Sequence, residues 1–583
     1  MDRVSPLQIL PVHIIESIIG HVVGSSRLQF DRVTECTKEY ASLLLPLLCV
    51  CHRFRTVVIT RCSRTHTLIF DELSSKSWEE GSTWLHRLSH IEFPTHQHAK
   101  EIHMELGEDY IYNGLALEAL LRKPFVDYTF PKARSLSFKF DFTRESEHSS
   151  DDVTIPPDTE AHIHAFVRHI KQIAPMLQRV FMMSTRRVGG RTHLPSQQFN
   201  SLVAQICQYL GDIEFSIFCR PIHVEPSLSV VCRLAHFDGE GGSIESMVQL
   251  ARHNALTLQY LDLNLLGGED ITGLIKNTDG SYVQYPCLHT LKLQTMPFMD
   301  LSRRPVFPGA VPFPCLRYLM LVLTSPIGDD TPFRGNGATL EHLDLYLTLD
   351  IAMELRRNNI FTPISHPRLQ YVRLGWNPGT SELKPAIDRA CMQFGLSIGP
   401  DAAMREFTMP LTATEIGSLT TMLDDHKRIQ VLELQNSPMH ILDVIALLNT
   451  LPLLSHLHSK ASMIDPLPDS IAKHILPAYV IANYLPMGKR FRCWRISYSS
   501  NFNYQITVRW ALLLALICPI LDYVAVSDSS RELFMAHMKE MIASNGFRQH
   551  ASRLRRLLFG GWSNHIPNVK TVLAKMDAKA IKN

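Results

Sequence analysis

A short leucine-based phrase recurs along the chain and constrains its fold more than any other feature. The clearest copy occupies residues 339–345, TLEHLDL, with apolar residues at offsets 0, 3 and 5 from Leu340. The last two apolar residues are two apart and share one face of a strand, so Asp344 between them faces the other way. The middle residues of five regular copies are separated by 30, 28, 24 and 29 positions, at 261, 291, 319, 343 and 372. A strand followed by a helical segment that leads back to the start of the next strand, repeated at this period, predicts an α/β solenoid.

The period is that of a leucine-rich repeat. It predicts an irregular leucine-rich-repeat solenoid, with parallel strands on the concave face and helices on the convex face. We assign this array to residues 99–528, with a connecting segment at 62–98 and a polar loop insertion at 141–160. Residues 529–583 are assigned to a C-terminal helical cap and a basic tail. Less regular strands are expected at 67–70, 101–106 and 133–140, and around positions 180, 215, 234, 407, 432, 457, 494 and 524.

Composition indicates an ordinary folded protein without a bias toward nucleic acid or membrane, since the net charge is +2 over 583 residues. The apolar run at 510–521 is too short to span a bilayer, and Pro519 interrupts it. It is interpreted as a buried helix that leads into another strand. The twelve cysteines form no CxxC pair. We therefore expect reduced, buried thiols, such as Cys287 and Cys315, in a cytoplasmic or nuclear protein.

The first 61 residues do not follow the repeat. Leu10 and Pro11 precede apolar residues at helical spacing, including Ile14 and Ile18, and a second apolar segment ends in residues 50–55, VCHRFR. This combination resembles an F-box, a small helical module that binds the Skp1 adaptor of cullin complexes. The resemblance implies an adaptor-binding role for seven residues: Leu10, Pro11, Ile14, Ile18, Val50, Cys51 and Phe54. The alternative is that these helices only cap the end of the solenoid.

No motif for catalysis is present: a GxSxG elbow, an HExxH helix, a Walker loop and a GxGxxG fingerprint are all missing from the sequence. His162 and His164 are two apart on an expected helix, where they diverge by about 200° and cannot easily share one metal ion. We therefore predict a protein that is not an enzyme and that needs no cofactor and no metal. The basic tail could contact nucleic acid, but a solvated end cap is the favoured interpretation.

The residues beside the inward leucines should line the open face of the sheet. Strands about 4.8 Å apart would align these side chains in two columns across neighbouring repeats. Tyrosine and arginine are common anchors of protein interfaces, although aromatic residues also favour strands in general. The predicted substrate-binding residues are Tyr260, Asp262, Lys292, Tyr318, His342, Asp344, Tyr371 and Arg373.

Together the two signals resemble the divergent F-box and leucine-rich-repeat proteins that are numerous in fungi. The resemblance implies a substrate-recruiting adaptor subunit of an SCF-type E3 ubiquitin ligase. Such a protein binds Skp1 through its N-terminal helices and a protein substrate through the repeats. The alternative is a leucine-rich-repeat interaction scaffold unconnected to ubiquitin.

Overall fold

The structure is a computed structural model of the whole chain. It describes residues 11, 13–15, 65–70, 100–107, 129–141, 168–185, 210, 213–219, 233–240, 244–264, 274, 277, 279, 281–296, 313–323, 339–347, 367–376, 392, 395–396, 398–400, 402–411, 416–461, 480–481, 484, 488–497, 504–526, 531–544, 547–554 and 557–561.

The chain divides into two compact units, and the first comprises Met1–Leu288. Its described strands pair in parallel and in chain order. One helix, α1 (Ile244–His253), connects the last two of them. The strands are β1 (Thr65–Phe70), β2 (Glu101–Gly107), β3 (Ser135–Asp141), β4 (Arg179–Thr185), β5 (Glu214–Cys219), β6 (Arg233–Glu240) and β7 (Tyr260–Asn264).

The second unit comprises His289–Asn583 and is built in the same way. Its strands are β8 (Thr290–Met296), β9 (Tyr318–Leu323), β10 (His342–Leu347), β11 (Tyr371–Trp376), β12 (Glu406–Met409), β13 (Val431–Met439), β14 (His456–Ala461), β15 (Cys493–Ser497), β16 (Tyr523–Val526) and β17 (Leu558–Gly561). Its helices are α2 (Ile416–Leu423), α3 (Ile441–Thr450), α4 (Tyr504–Ile517), α5 (Arg531–Ala543) and α6 (Ala551–Leu554).

Each unit is therefore α/β, with parallel strands that pair in chain order, and this open arrangement is compatible with a solenoid. The strands expected from the leucine phrase are all present. The strands that were expected with stated bounds begin within about two residues of those positions, as β3 does at Ser135 rather than at 133. Boundaries drawn from an apolar pattern commonly shift by this amount, because the pattern records side chains and not backbone hydrogen bonds.

The leucines of the phrase form the core. Leu343 and Leu345 on β10 are both fully buried, and so are their register partners Leu319 and Leu321 on β9, to within 1%. Asp344 was expected to be exposed, but it is only half-exposed. Neighbouring strands supply side chains close enough to cover it partly.

A recurring turn introduces many of the strands. In residues 313–316, the buried Phe313 accepts a 3.2 Å backbone hydrogen bond from the buried Leu316, and Pro314 occupies the second position, where its fixed φ favours a turn. Equivalent bonds join Ala133 to Phe130, Leu177 to Ala174, Leu288 to Tyr285, Leu454 to Leu451 and Leu521 to Cys518.

This turn corrects the prediction that Cys287 and Cys315 are buried. Both cysteines are exposed, because they occupy the third position of the turn, whose first and fourth residues point into the core. Proline before each cysteine marked the turn in the sequence, and the apolar pattern alone did not reveal it.

The segment between β15 and β16 contains the most buried helix of the described chain. Helix α4 includes Trp510, which is 1% exposed, and it ends at Ile517, two residues before Pro519. Strand β16 follows, so the apolar run at 510–521 is a buried helix leading into a strand, as predicted. Within the described ranges, no helix has the length and apolarity needed to cross a membrane.

The ladder of strands extends past residue 528, where we expected it to end. Leu558–Gly561 forms β17, which pairs in parallel with β16. The pair aligns Val524 with Phe559. The expected helical cap is thus interrupted by one further strand, whose short sequence with two glycines carries little of the leucine pattern.

Candidate protein-binding face

In the second unit, the side chains opposite the leucine core form two rows across the strands. The first open row comprises the residues before each middle core residue, and the second open row comprises the residues after it. The first open row from β8 to β16 is Thr290, Tyr318, His342, Tyr371, Glu406, Val431, His456, Cys493 and Tyr523. The second open row is Lys292, Met320, Asp344, Arg373, Thr408, Glu433, His458, Arg495 and Ala525.

Three aromatic side chains of the first open row stack across β9, β10 and β11. The His342 ring lies parallel to the Tyr371 ring, with centroids 4.1 Å apart and planes at 2°. On its other side, the Tyr318 ring lies 5.8 Å away at 36°. All three side chains are half-exposed. Stacked rings of this kind form a rigid surface whose contact with a partner costs little conformational entropy.

A hydrogen bond ties the two open rows together. The Tyr318 hydroxyl donates to the Asp344 carboxylate Oδ2 on the neighbouring strand. Burial, followed by this hydrogen bond and the Asp344 charge, raises the pKa of Tyr318 well above its usual value. The hydroxyl therefore stays protonated and keeps the carboxylate in place at physiological pH.

Two cations flank the stack. Lys292 Nζ lies 5.8 Å from the centroid of the Tyr318 ring, and Arg373 Cζ lies 5.7 Å from the centroid of the Tyr346 ring. Arg373 is exposed. We call this cluster the aromatic patch: Lys292, Tyr318, His342, Asp344, Tyr371 and Arg373.

The sequence prediction missed Tyr346, which supports Arg373 from the adjacent strand. It lies two residues after Asp344, so the period of a strand places it on the same face, and this alternation could have identified it. Gly375 is its register partner on β11. A Cβ atom at Gly375 would lie 2.3 Å from the Tyr346 ring, so glycine leaves the space that the ring occupies.

The other two predicted face residues, Tyr260 and Asp262, belong to the first unit and are described separately. The Tyr260 hydroxyl donates a 3.1 Å hydrogen bond to Asp262 Oδ2. Asp262 was expected to line the open face, but it is 1% exposed and therefore buried. Nearby on the same face, His236 Nδ1 lies 2.9 Å from the Ser216 hydroxyl oxygen. Burial, only partly offset by Glu214, lowers the pKa of His236.

The open rows become more covered from β12 onward. Thr408 is 3% exposed and His458 is 7% exposed, although both belong to the second open row. In register, His458 lies between Glu433 and Arg495. Burial, followed by the charge of Arg495, lowers the pKa of His458 to about 4. Desolvated side chains of this kind offer a partner less surface than the aromatic patch does.

Most of the predicted adaptor-binding residues lie outside the described part of the chain: Leu10, Ile18, Val50, Cys51 and Phe54. Of the remaining two, Pro11 begins a helical turn, since its carbonyl accepts backbone hydrogen bonds from Ile14 at 3.0 Å and Ile15 at 3.2 Å. Ile14 is 37% exposed, whereas Ile15 is fully buried. The helix start predicted at this proline is confirmed.

Among the described residues, no group of three His, Cys, Asp or Glu side chains is placed to hold a metal ion. The chain matches no protein-family model, and no curated protein is significantly similar to it.

Proposed function

We propose that this chain is a substrate-recruiting subunit of an SCF-type E3 ubiquitin ligase. In this proposal, residues 1–61 bind a Skp1-type adaptor and hence a cullin complex, and the open face of the repeats binds a protein substrate. The protein itself performs no catalysis. The observation that carries the proposal is the aromatic patch, a rigid surface with flanking cations on a parallel repeat sheet.

The composition of the aromatic patch supports protein binding. Tyrosine and arginine are enriched at the centres of protein interfaces, where they supply most of the binding free energy. The stack is held by neighbouring strands and by the Tyr318–Asp344 hydrogen bond, so little ordering is needed when a partner binds.

The N-terminal turn supports the adaptor half of the proposal less directly. Ile14 leaves 37% of its surface exposed, and an apolar side chain in this position is available to a partner. Ile15 beside it is fully buried within the chain. That burial favours the second candidate, an interaction scaffold unconnected to ubiquitin, in which the first helices only cap the repeats.

Co-purification separates the two candidates. The full chain is expressed with and without a tagged Skp1-type adaptor, alongside the double variant Pro11→Ala with Phe54→Ala. We expect wild type to co-purify with the adaptor and the double variant to lose most of it, because the F-box resemblance places both residues at the docking surface. His13→Ala serves as the matched control at an exposed position of the same turn.

Thermal melting of the same samples completes the test. If the double variant and wild type melt together while adaptor binding is lost, the adaptor hypothesis stands. A chain that never captures the adaptor, and that aggregates when residues 1–61 are deleted, would instead establish the capping role, since an uncapped repeat exposes its core.

A further inference from the structure

We propose that the aromatic patch binds an extended acidic segment, with carboxylates four residues apart contacting Lys292 and Arg373. This inference deepens the proposed function, because it names the class of protein segment that the open face recognises. It rests on that proposal only for the identity of the segment as a substrate.

The stacked rings favour anions at their exposed edges. An aromatic ring carries a negative face and a positive edge. The His342 and Tyr371 ring centroids are 4.1 Å apart in nearly parallel planes, so a partner cannot reach the two faces that meet in the stack but can approach the ring edges. A carboxylate is therefore attracted to the rim of the stack, in addition to the two flanking cations.

The one carboxylate inside the patch is already engaged. Asp344 accepts the hydrogen bond of the Tyr318 hydroxyl, which fixes the position of this carboxylate on the sheet. On the β12 side, Glu406 follows Tyr371 in the first open row and would repel an anion. The favourable region for an acidic partner thus extends from β8 to β11 and ends there.

The spacing of the cations sets the spacing of the acids. Lys292 and Arg373 lie in the same open row on β8 and β11, three strand steps apart. At about 4.8 Å per step, the Cα positions of these two residues are roughly 14 Å apart. An extended segment that crosses the strands advances about 3.3 Å per residue, so about four residues span this distance. Residues at i and i+4 of an extended segment also point to the same side, which allows both to face the sheet.

Nucleic acid is the weaker occupant. Single-stranded nucleic acid is held by bases that stack on free aromatic faces. In the patch, Tyr371 and His342 already stack on each other, and the Tyr318 ring tilts toward His342. Ring edges and charged tips can bind carboxylates, whereas they offer no platform for successive bases.

The test uses fluorescence anisotropy with the full chain and a labelled 13-residue peptide. The peptide carries glutamate at every fourth position, between serine and glycine. Matched peptides carry glutamine at the same positions or glutamate at every third position. We expect the peptide with glutamate at every fourth position to bind more tightly than either matched peptide. Its affinity should fall as the salt concentration is raised.

Charge reversal locates the site. Arg373→Glu should weaken binding of the fourth-position glutamate peptide about tenfold or more, since it replaces an attraction by a repulsion. The matched control is Arg368→Glu, an exposed arginine in the turn before the same strand, which should change affinity by about twofold at most. Equal effects of the two variants, or equal binding of the glutamine peptide, would overturn the proposal.

Two further measurements separate the possible failures. Tighter binding of a labelled 13-residue oligothymidine, lost in Arg373→Glu, would assign the patch to nucleic acid and also overturn the proposal. Adaptor co-purification is measured on the same preparations. If the chain binds the adaptor but not the peptide, this inference is wrong and the proposed function stands. If the chain binds the peptide but not the adaptor, the proposed function is wrong and the acidic-segment site stands.

Discussion

Two stretches of the second unit share one core but differ on the opposite face of the sheet. Strands β8 to β11 and strands β12 to β16 both place fully or almost fully buried core side chains at the middle position, such as Leu343 and Leu457. On the other face, Arg373 of β11 is exposed, whereas its register partner Thr408 of β12 is 3% exposed. The repeat therefore fixes the core side of each strand and leaves the open side free to diverge toward exposure or toward burial.

The largest expected effect tests whether the core is equivalent beneath both stretches. Leu343→Ala and Leu457→Ala should each lower the free energy of unfolding by about 2–5 kcal/mol, because each leaves a cavity among buried side chains. Denaturant titration of both variants measures the cost. Arg373→Ala is the surface control and should change stability by about 0.5 kcal/mol or less.

A cost below about 1 kcal/mol for either leucine would contradict its place in the core. A large difference between the two would show that the stretches do not share one kind of core.

The next expected effect is on the pH dependence of stability, and it comes from a buried histidine in the stretch from β12 to β16. His458 is buried with its pKa lowered to about 4, while the unfolded side chain has its ordinary value of 6.5. Between these values the unfolded state binds the proton more strongly, so the contribution of His458 is present above pH 6.5 and is lost as the pH falls toward 4. We expect His458→Gln to reduce the loss of stability between pH 7.5 and pH 5 by about 2 kcal/mol.

Denaturant titrations at both pH values measure this difference. The control is His253→Gln, which removes an exposed histidine on α1 and so tests whether the effect depends on the burial of His458. Parallel pH curves for wild type and His458→Gln would mean that the open face of β14 is not desolvated.

The smallest expected effect is a difference in the reactivity of two cysteine thiols, which leaves the fold intact. Cys493 belongs to the first open row on β15, and burial, with a further contribution from Asp522, raises the pKa of its thiol to about 12. Cys315 lies exposed in the turn before β9. Because the thiolate is the reactive species, a thiol-specific alkylating reagent should modify Cys315 at least about tenfold faster than Cys493 in the native protein.

Mass spectrometry of the digested protein measures both rates in one sample. Denaturation before labelling should remove the difference, which controls for the intrinsic reactivity of each peptide. Similar native rates would show that the face of β15 is as open as the aromatic patch.

The start of helix α3 carries a local sequence signal that the leucine pattern does not reveal. Helix α3 begins with a capping box in which the His440 side chain accepts from the Leu442 backbone N–H at 3.2 Å. The Asp443 carboxylate accepts from the His440 backbone N–H at 2.8 Å. Histidine is an unusual residue at this position, so the sequence signal was weak, although the acid three residues later fitted the motif.

The sequence by itself determined the strands β1 to β16, their order of pairing within each unit and the side of each strand that faces the core, although it did not reveal β17. Apolar residues two apart define one face of a strand, and a regular period allows each strand to pair with the next. These properties depend on nearby residues and on a repeat of similar length, both of which are visible in a single sequence.

Only the tertiary structure decided which side chains on the other face of the sheet are exposed and which are buried. Asp262 and Asp344 occupy equivalent positions between two leucines, yet Asp262 is 1% exposed and Asp344 is half-exposed. The exposure of such a residue depends on side chains about 4.8 Å away on strands contributed by other repeats, each with its own sequence. The leucine pattern records which way a side chain points, and the neighbouring repeats determine whether anything covers it.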